Sequence, residues 1–451
     1  MRRLALAALP ILLLAASPAR VGERQRAEHA LNRLAFGARP GDVDRIVQLG
    51  VDRWIDRQLH PERIDDSLVE ARLAPYATLS YSDSDMVREF YRPLVQARRE
   101  KKKDGEAVDD PAMRELRQKA RRVVGELSAQ RILRAADSER QLNEVMVDFW
   151  FNHFNVFAGK GVDRFLLTGY ERDVIRPHIW GRFDDLVMAT AKSPAMLFYL
   201  DNARSRASGL NENYARELME LHTLGVDGGY AQKDVTELAR VFTGWSISRP
   251  QEGETHFVFR RPLHDRGAKT VLGVKLPAGG GMEEGERMIR FLARQPATAH
   301  HIAYQLAQRL VADDPPPALV DRVAKRFLAT GGDLRATVKA VIDSPEFWDP
   351  QSYGKKVKSP FEYAISAIRA VGGQISDPLP LARELQKIGE PLYFAQPPTG
   401  YSDKSEAWMN AGAMMNRVNF AIALSAGKMP GVQVKPSDAA LKLSSPEFQR
   451  Q

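Results

Sequence analysis

Apolar residues recur at helical spacing along most of this chain. Over 28–36 they fall at Ala30, Leu31, Leu34 and Ala35, and a break over 37–40 follows. Gly41-Asp42-Val43 opens a second helix through Ile46 and Leu49 that stops at Gly50. A third spans 52–59 with Trp54, Ile55 and Leu59 inward. The period returns over 127–157, through Leu133, Leu142, Val145, Met146, Phe149 and Trp150, and again over 170–191. Ser193-Pro194-Ala195 has the N-cap and N1 chemistry of a new helix. The stretch 284–348 is helical in pattern, and Asp343-Ser344-Pro345-Glu346-Phe347 and Ser444-Ser445-Pro446-Glu447-Phe448 read as capped helix starts. Two pieces read as strands joined through a turn, 256–259 and 270–273. The pattern predicts a single mainly α domain over 20–451, with a small β-containing insertion near 255–275.

Two segments depart from it. Residues 98–122 carry the charge run Arg98-Arg99-Glu100-Lys101-Lys102-Lys103-Asp104 and a polar stretch, which predicts a solvated helix and a mobile loop. At the N-terminus, Arg2 and Arg3 precede an apolar stretch over 4–16 and the small-residue site Ser17-Pro18-Ala19. That is the layout of a signal peptide over 1–19, so the protein is expected to be exported, to the periplasm or beyond the cell. No other segment is apolar enough to span a bilayer, so the mature chain is expected to lack a transmembrane helix.

Composition narrows the chemistry. Of 451 residues, none is cysteine, which removes disulfides, thiolate metal sites and cysteine nucleophiles. The net charge of +8 arises from 65 Lys+Arg against 57 Asp+Glu and is spread among both signs, so no nucleic-acid partner is expected. Walker loops, dinucleotide fingerprints and nucleophile elbows are absent, so no nucleotide or NAD cofactor is expected.

The densest run of site-forming side chains is Asn211-Glu212-Asn213-Tyr214-Ala215-Arg216-Glu217-Leu218-Met219-Glu220-Leu221-His222. On a continuous α-helix, at about 100° per residue, Asn213, Arg216, Glu217 and Glu220 share one stripe, and His222 lies about 140° from Glu217. The stripe reads either as an ion-pair ladder with Arg216 on Glu220 or as the polar wall of a pocket. A second cluster, Asp148-Phe149-Trp150-Phe151-Asn152-His153-Phe154-Asn155, brackets two amides and a histidine with four aromatics, as small-molecule pockets and capped cores both do. A third is His264-Asp265 with Lys269 behind it, an acid–base or metal pair in a loop. Asp234, Glu237, Arg240 and Trp245 follow the first cluster, and 396–401 could form one lip of a cleft.

Taken together, Asn32-Arg33-Leu34-Ala35-Phe36-Gly37, the 149–154 aromatics, 211–225, 234–245, His264-Asp265, Lys358-Ser359-Pro360, Trp408-Met409-Asn410 and Ser445-Pro446-Glu447-Phe448-Gln449 resemble a bacterial family, domain of unknown function (DUF) 1800. Phe151 stands where that pattern carries a polar residue, often histidine. The resemblance implies a large, mainly helical, often exported protein, frequently paired with an exported protein of DUF family 1501, and no established activity.

These readings set an expectation: an exported protein with a polar cleft, a hydrolase or metal-assisted enzyme acting on envelope or extracellular material. Glu217 or Glu220 would be its acid–base group, Arg216 its clamp, and His153, His222, His264 or Asp265 a proton shuttle or ligand. Trp150, Asn152, Asn211, Asn213, Tyr214 and Trp245 would line the substrate site. The residues name no metal, although a metal is compatible with them. The alternative is a non-catalytic scaffold or binding partner of an exported enzyme, with the charged stripes closed into ion pairs.

Overall fold

The computed structural model describes residues 22–104, 111–249 and 254–451, with side chains placed outside 102–104. The expected signal peptide lies outside them. Helix makes up 60% of the structure, and β-structure is limited to small two-stranded sheets. The three expected N-terminal helices are Glu23–Leu34, Asp42–Leu49 and Val51–Gln58. Gly41 and Gly50, both at positive φ, separate them. The charged segment is helical wherever it is described: it forms the end of Arg92–Asp104 and the first turns of Pro111–Asp137. Residues 105–110 lie outside the described residues.

Pro111–Asp137, about 40 Å long at 1.5 Å per residue, packs its C-terminal half into the core through Leu127, Ile132 and Leu133. Gln141–His153 runs through the middle of the molecule and buries ten of its thirteen side chains. It is fixed there by charge. The Asp148 carboxylate pairs with Arg131 and, at 3.0 Å, with Arg309. Arg309 also holds Glu362 at 2.9 Å and Asp403 at 3.0 Å. One turn back, Glu144 shares Arg176 with Glu171, at 2.9 and 2.8 Å. Glu171 accepts from the Tyr393 hydroxyl at 2.5 Å and from Gln130 at 3.1 Å. All are buried or nearly so, as paired ions must be to persist in a core.

The expected hairpin is two hairpins. Phe257–Phe259 and Lys269–Val271 are strands, but each pairs elsewhere, the first with Trp245–Ile247 and the second with Val274–Leu276. The short turn at Leu272-Gly273, both at positive φ, closes the second pair locally and leaves the first strand to Trp245. The two Ser-Pro-Glu-Phe segments each form the capping bond, Phe347 N–H to Ser344 Oγ at 3.2 Å and Phe448 N–H to Ser445 Oγ at 3.3 Å. Neither propagates into a helix, so both are turns.

The two ends of the described chain meet. Arg33 donates to the carbonyls of Val311 and Ser352. Arg369 donates to Gly37 O at 2.9 Å, and a Cβ on Gly37 would strike Ser366. Lys358 N–H donates to Gln449 O at 2.9 Å, and buried Arg417 bridges the Lys358 carbonyl and the Gln449 side chain. Replacing Arg309 with methionine would take the ion pair from Glu362 and Asp403 and leave Asp148 with Arg131 alone. The expected loss is about 3–5 kcal/mol in urea-unfolding free energy, against no resolvable change for the same replacement at the exposed Arg24, whose pair with Asp44 is solvated. Equal losses would dismiss the network as an anchor.

Candidate functional site

The 211–225 segment is not a continuous α-helix. It begins as α-helix over Asn213–Glu217 and opens into a π-turn over Leu218–His222. The wider π-turn rotates successive side chains by less than the α value, so the predicted angle between Glu217 and His222 does not apply. Asn211 starts the helix: its Oδ1 accepts from Asn213 N–H at 2.9 Å. Arg216 turns back one turn to Glu212, at 3.2 Å, and to Gln232 at 3.0 Å, instead of forward to Glu220. Glu212 is further occupied by Thr236 at 2.7 Å and Gln232 at 2.8 Å.

Glu217 and Glu220 are thereby left half-buried, one turn apart, with no hydrogen bond or ion pair among the described residues. Burial raises the Glu217 carboxyl above its ordinary range and the charge of Glu220 raises it further, while Arg216 opposes both. Two phenols feel the pair. Burial raises Tyr199, with Asp163 and Glu217 adding to it, and burial raises Tyr230, with Glu220 adding to it. Behind Tyr199, Lys160 bonds the Tyr199 carbonyl and Asp201 at 2.8 Å. Asp163 is fully buried and its two oxygens have no hydrogen-bond partner among the described residues, so burial drives its pKa far up.

The histidines gather on the other side of the π-turn. His153 and His222 have ring centroids 6.0 Å apart, and His153 and His301 6.3 Å. His153 Nε2 lies 3.2 Å from the His222 carbonyl and His301 Nε2 lies 3.0 Å from the Leu221 carbonyl. A widened turn leaves its last carbonyls without intrahelical donors, and these two rings supply them. The second nitrogen of His153 faces Gln305 at 2.7 Å. Burial pushes His153 down to about 3 and His222 well below its ordinary value, so these rings are neutral. No hydrogen bond or ion pair joins His153, His222 or His264 to Glu217 or Glu220 among the described residues.

His264 and Asp265 belong to a separate cluster. Asp265 binds Arg240 through both oxygens, at 2.8 and 3.2 Å, and Arg240 also holds Glu237 at 2.8 Å. His264 Nδ1 lies 2.8 Å from the Thr243 carbonyl, and its Nε2 lies 3.3 Å from Glu284, which pairs with buried Lys269 at 2.7 Å. Among the described residues no three His, Asp or Glu side chains come together so as to hold a metal ion.

The remaining candidates are structural in placement. Trp150 and Trp245 are fully buried, and a Cβ on Gly285 would strike the Trp245 ring. Tyr214 packs edge-on against Phe242. Phe151, where the family pattern is polar, packs between Tyr170 and Tyr393. Asn152 clamps the loop after 395, accepting from Tyr401 N–H at 2.7 Å and donating to Tyr401 O at 2.8 Å. A Cβ on Gly400, at positive φ, would strike that amide. Asn155 and Tyr199 hold the same loop at Ala395, Pro397 and Gln396. Sequence reasoning missed Tyr199, Tyr230 and Asp163 at the carboxylates, and His301 beside His153. The i,i+4 spacing of His301 and Gln305 was the one local signal for its place beside His153.

The model of a family described as "Protein of unknown function (DUF1800)" matches residues 29–450. No curated protein and no solved structure matches the chain.

The neutral histidines set a pH dependence. Unfolded, each takes a proton as pH falls through about 6.5, whereas folded His153 does so only near 3. Their stabilisation is therefore complete above about 6.5 and is lost as pH falls toward 3. His153→Gln, which keeps an N–H for the carbonyl, is expected to flatten the fall in urea-unfolding free energy between pH 6.5 and 4 by about 1.4 kcal/mol per unit. An unchanged slope would refute the assignment.

Proposed function

We propose that this chain, which belongs to the DUF1800 family, is an exported hydrolase that works by proton transfer between Glu217 and Glu220. The observation that carries the reading is the unpartnered carboxyl pair. Two acids one turn apart, left among the described residues without hydrogen bond or ion pair where Arg216 is engaged elsewhere, divide into a proton donor and a proton acceptor. Glu217, raised by burial and by its neighbour, gives its proton to the leaving oxygen of the bond that breaks. Glu220 takes a proton from the attacking water, whose oxygen ends on the electrophilic carbon. The Tyr230 ring, partly exposed and within reach of the Glu220 charge, supplies an apolar face to a substrate, while buried Tyr199 backs the pair. No step is routed through a metal.

The substrate proposed is a polymer of the envelope or the extracellular space. The basic, apolar and small-residue succession over 2–19 supports export to that place. A second reading, a scaffold for an exported enzyme such as a member of DUF family 1501, is favoured by the closed cluster in which Arg240 neutralises Glu237 and Asp265.

The test is release of soluble fragments from isolated envelope material. Wild-type protein is expected to release them, Glu217→Gln to lose about 100-fold or more in rate, and the wild-type rate to fall as pH rises through the raised Glu217 pKa. Equal rates for wild type, Glu217→Gln and Glu220→Gln would reject the hydrolase. Absence of release, with capture of the exported partner by all three proteins, would establish the scaffold instead.

A further inference from the structure

Apart from the 211–225 segment, the Pro111–Asp137 and Pro378–Ile388 helices pack side by side. A groove of about 910 Å³ opens between them and the loop at 391–394, within the roughly 300–1,000 Å³ typical of small-molecule pockets. Its floor is apolar: Val124, Leu379, Ala382, Leu392 and Phe394. Leu379 and Phe394 remain 41% and 36% exposed, and both line this one groove.

The rim is charged, and the charges do not cancel. Glu115 is closed by Lys119 at 3.0 Å and Glu126 by Arg122. Arg121, Arg164 and Arg383 line the same groove with no hydrogen bond or ion pair among the described residues. Arg164 is the informative one. It is half-buried, and besides burial the groups that act on it are the guanidiniums of Arg121 and Arg98, which push its pKa in the same unfavourable direction as burial does. Arginine does not escape by losing its proton. A cation drawn partly out of water among other cations, beside exposed leucine and phenylalanine, is a site whose complement is a negative head on an apolar body.

We propose that this groove binds a single-chain amphipathic anion, its acyl tail on Leu379, Leu392 and Phe394 and its phosphate or carboxylate head on Arg164 and Arg121. The proposal is independent of the carboxyl pair and stands or falls apart from it.

Isothermal titration of the full chain with dodecyl phosphate, dodecanol and inorganic phosphate tests it. Dodecyl phosphate is expected to bind at least about tenfold tighter than either of the others, since only it engages floor and rim together. Arg164→Gln should weaken it about fivefold or more, and Leu379→Asn likewise, while Arg122→Gln, whose cation is already paired, should change it less than about twofold. Equal binding of dodecanol would reduce the site to an apolar patch, and equal binding of inorganic phosphate to an anion site; either overturns the proposal. So does indifference to Arg164→Gln, or absence of binding. Capture by vesicles of anionic lipid without binding of dodecyl phosphate would also overturn it, in favour of a membrane-facing surface.

Discussion

Asp148 in the middle of the Gln141–His153 helix is the constraint around which the rest is arranged. A carboxylate at that depth persists only if cations come to it, and Arg131 and Arg309 arrive from helices on either side. Arg309 then imposes its own demand, met by Glu362 and Asp403 from the C-terminal third of the chain. Arg131 lies over the rings of Phe151, Phe361 and Tyr393, so the charge cluster and the aromatic core are one object. Removing Arg309 leaves Glu362 and Asp403 without their ion pair and Asp148 with Arg131 alone, and this shared dependence makes the central helix a fixed reference. The amides of Asn152 and Asn155 and the ring of His153, at the end of that helix, are positioned by it: two amides grip a loop, and the ring reaches the π-turn.

The π-turn is where structure and candidate chemistry join. Its widening displaces the Leu221 and His222 carbonyls from their intrahelical donors, and two neutral imidazoles take over. The same widening follows directly on Glu217 and carries Glu220, so the conformation that uses up the histidines also sets the two acids on their half-buried edge. Insertions of this kind are held against the ordinary α-helical preference and recur at functional sites.

Much of the architecture was legible from periodicity. The first three helices, the capped helix after Ser193 and the helical run after 284 follow from apolar spacing and from glycine and proline at their ends, because those signals are local. What was illegible is what depends on distant partners. An i,i+4 argument offered Arg216 to Glu220, yet Glu212 lies at the same spacing in the other direction and is organised by Gln232 and Thr236 from the next helix. The strand at 257–259 was visible, whereas its partner at Trp245 was not. The family motifs near both ends looked like separate signatures, but Gly37, Lys358 and Gln449 are parts of one junction. Of the candidate site, the carboxyl pair and the aromatic cluster were found. That the histidines serve backbone carbonyls could not be read, since His301 stands 80 positions from Leu221.

That junction bears on how the chain acquires its shape. Arg33 Nη2 donates to the carbonyls at 311 and 352, and Arg369 donates to the carbonyls at 37 and 136. Until the last third has emerged, the first three helices can pack on one another and on the 141–153 helix, but Arg33 lacks both of its carbonyl acceptors. Loops of this length must be closed before their contacts give any return, which slows the search and makes completion abrupt. The order of the first helices is thereby tied to residues more than 250 positions away, so a cut in the last third is felt at the first helix.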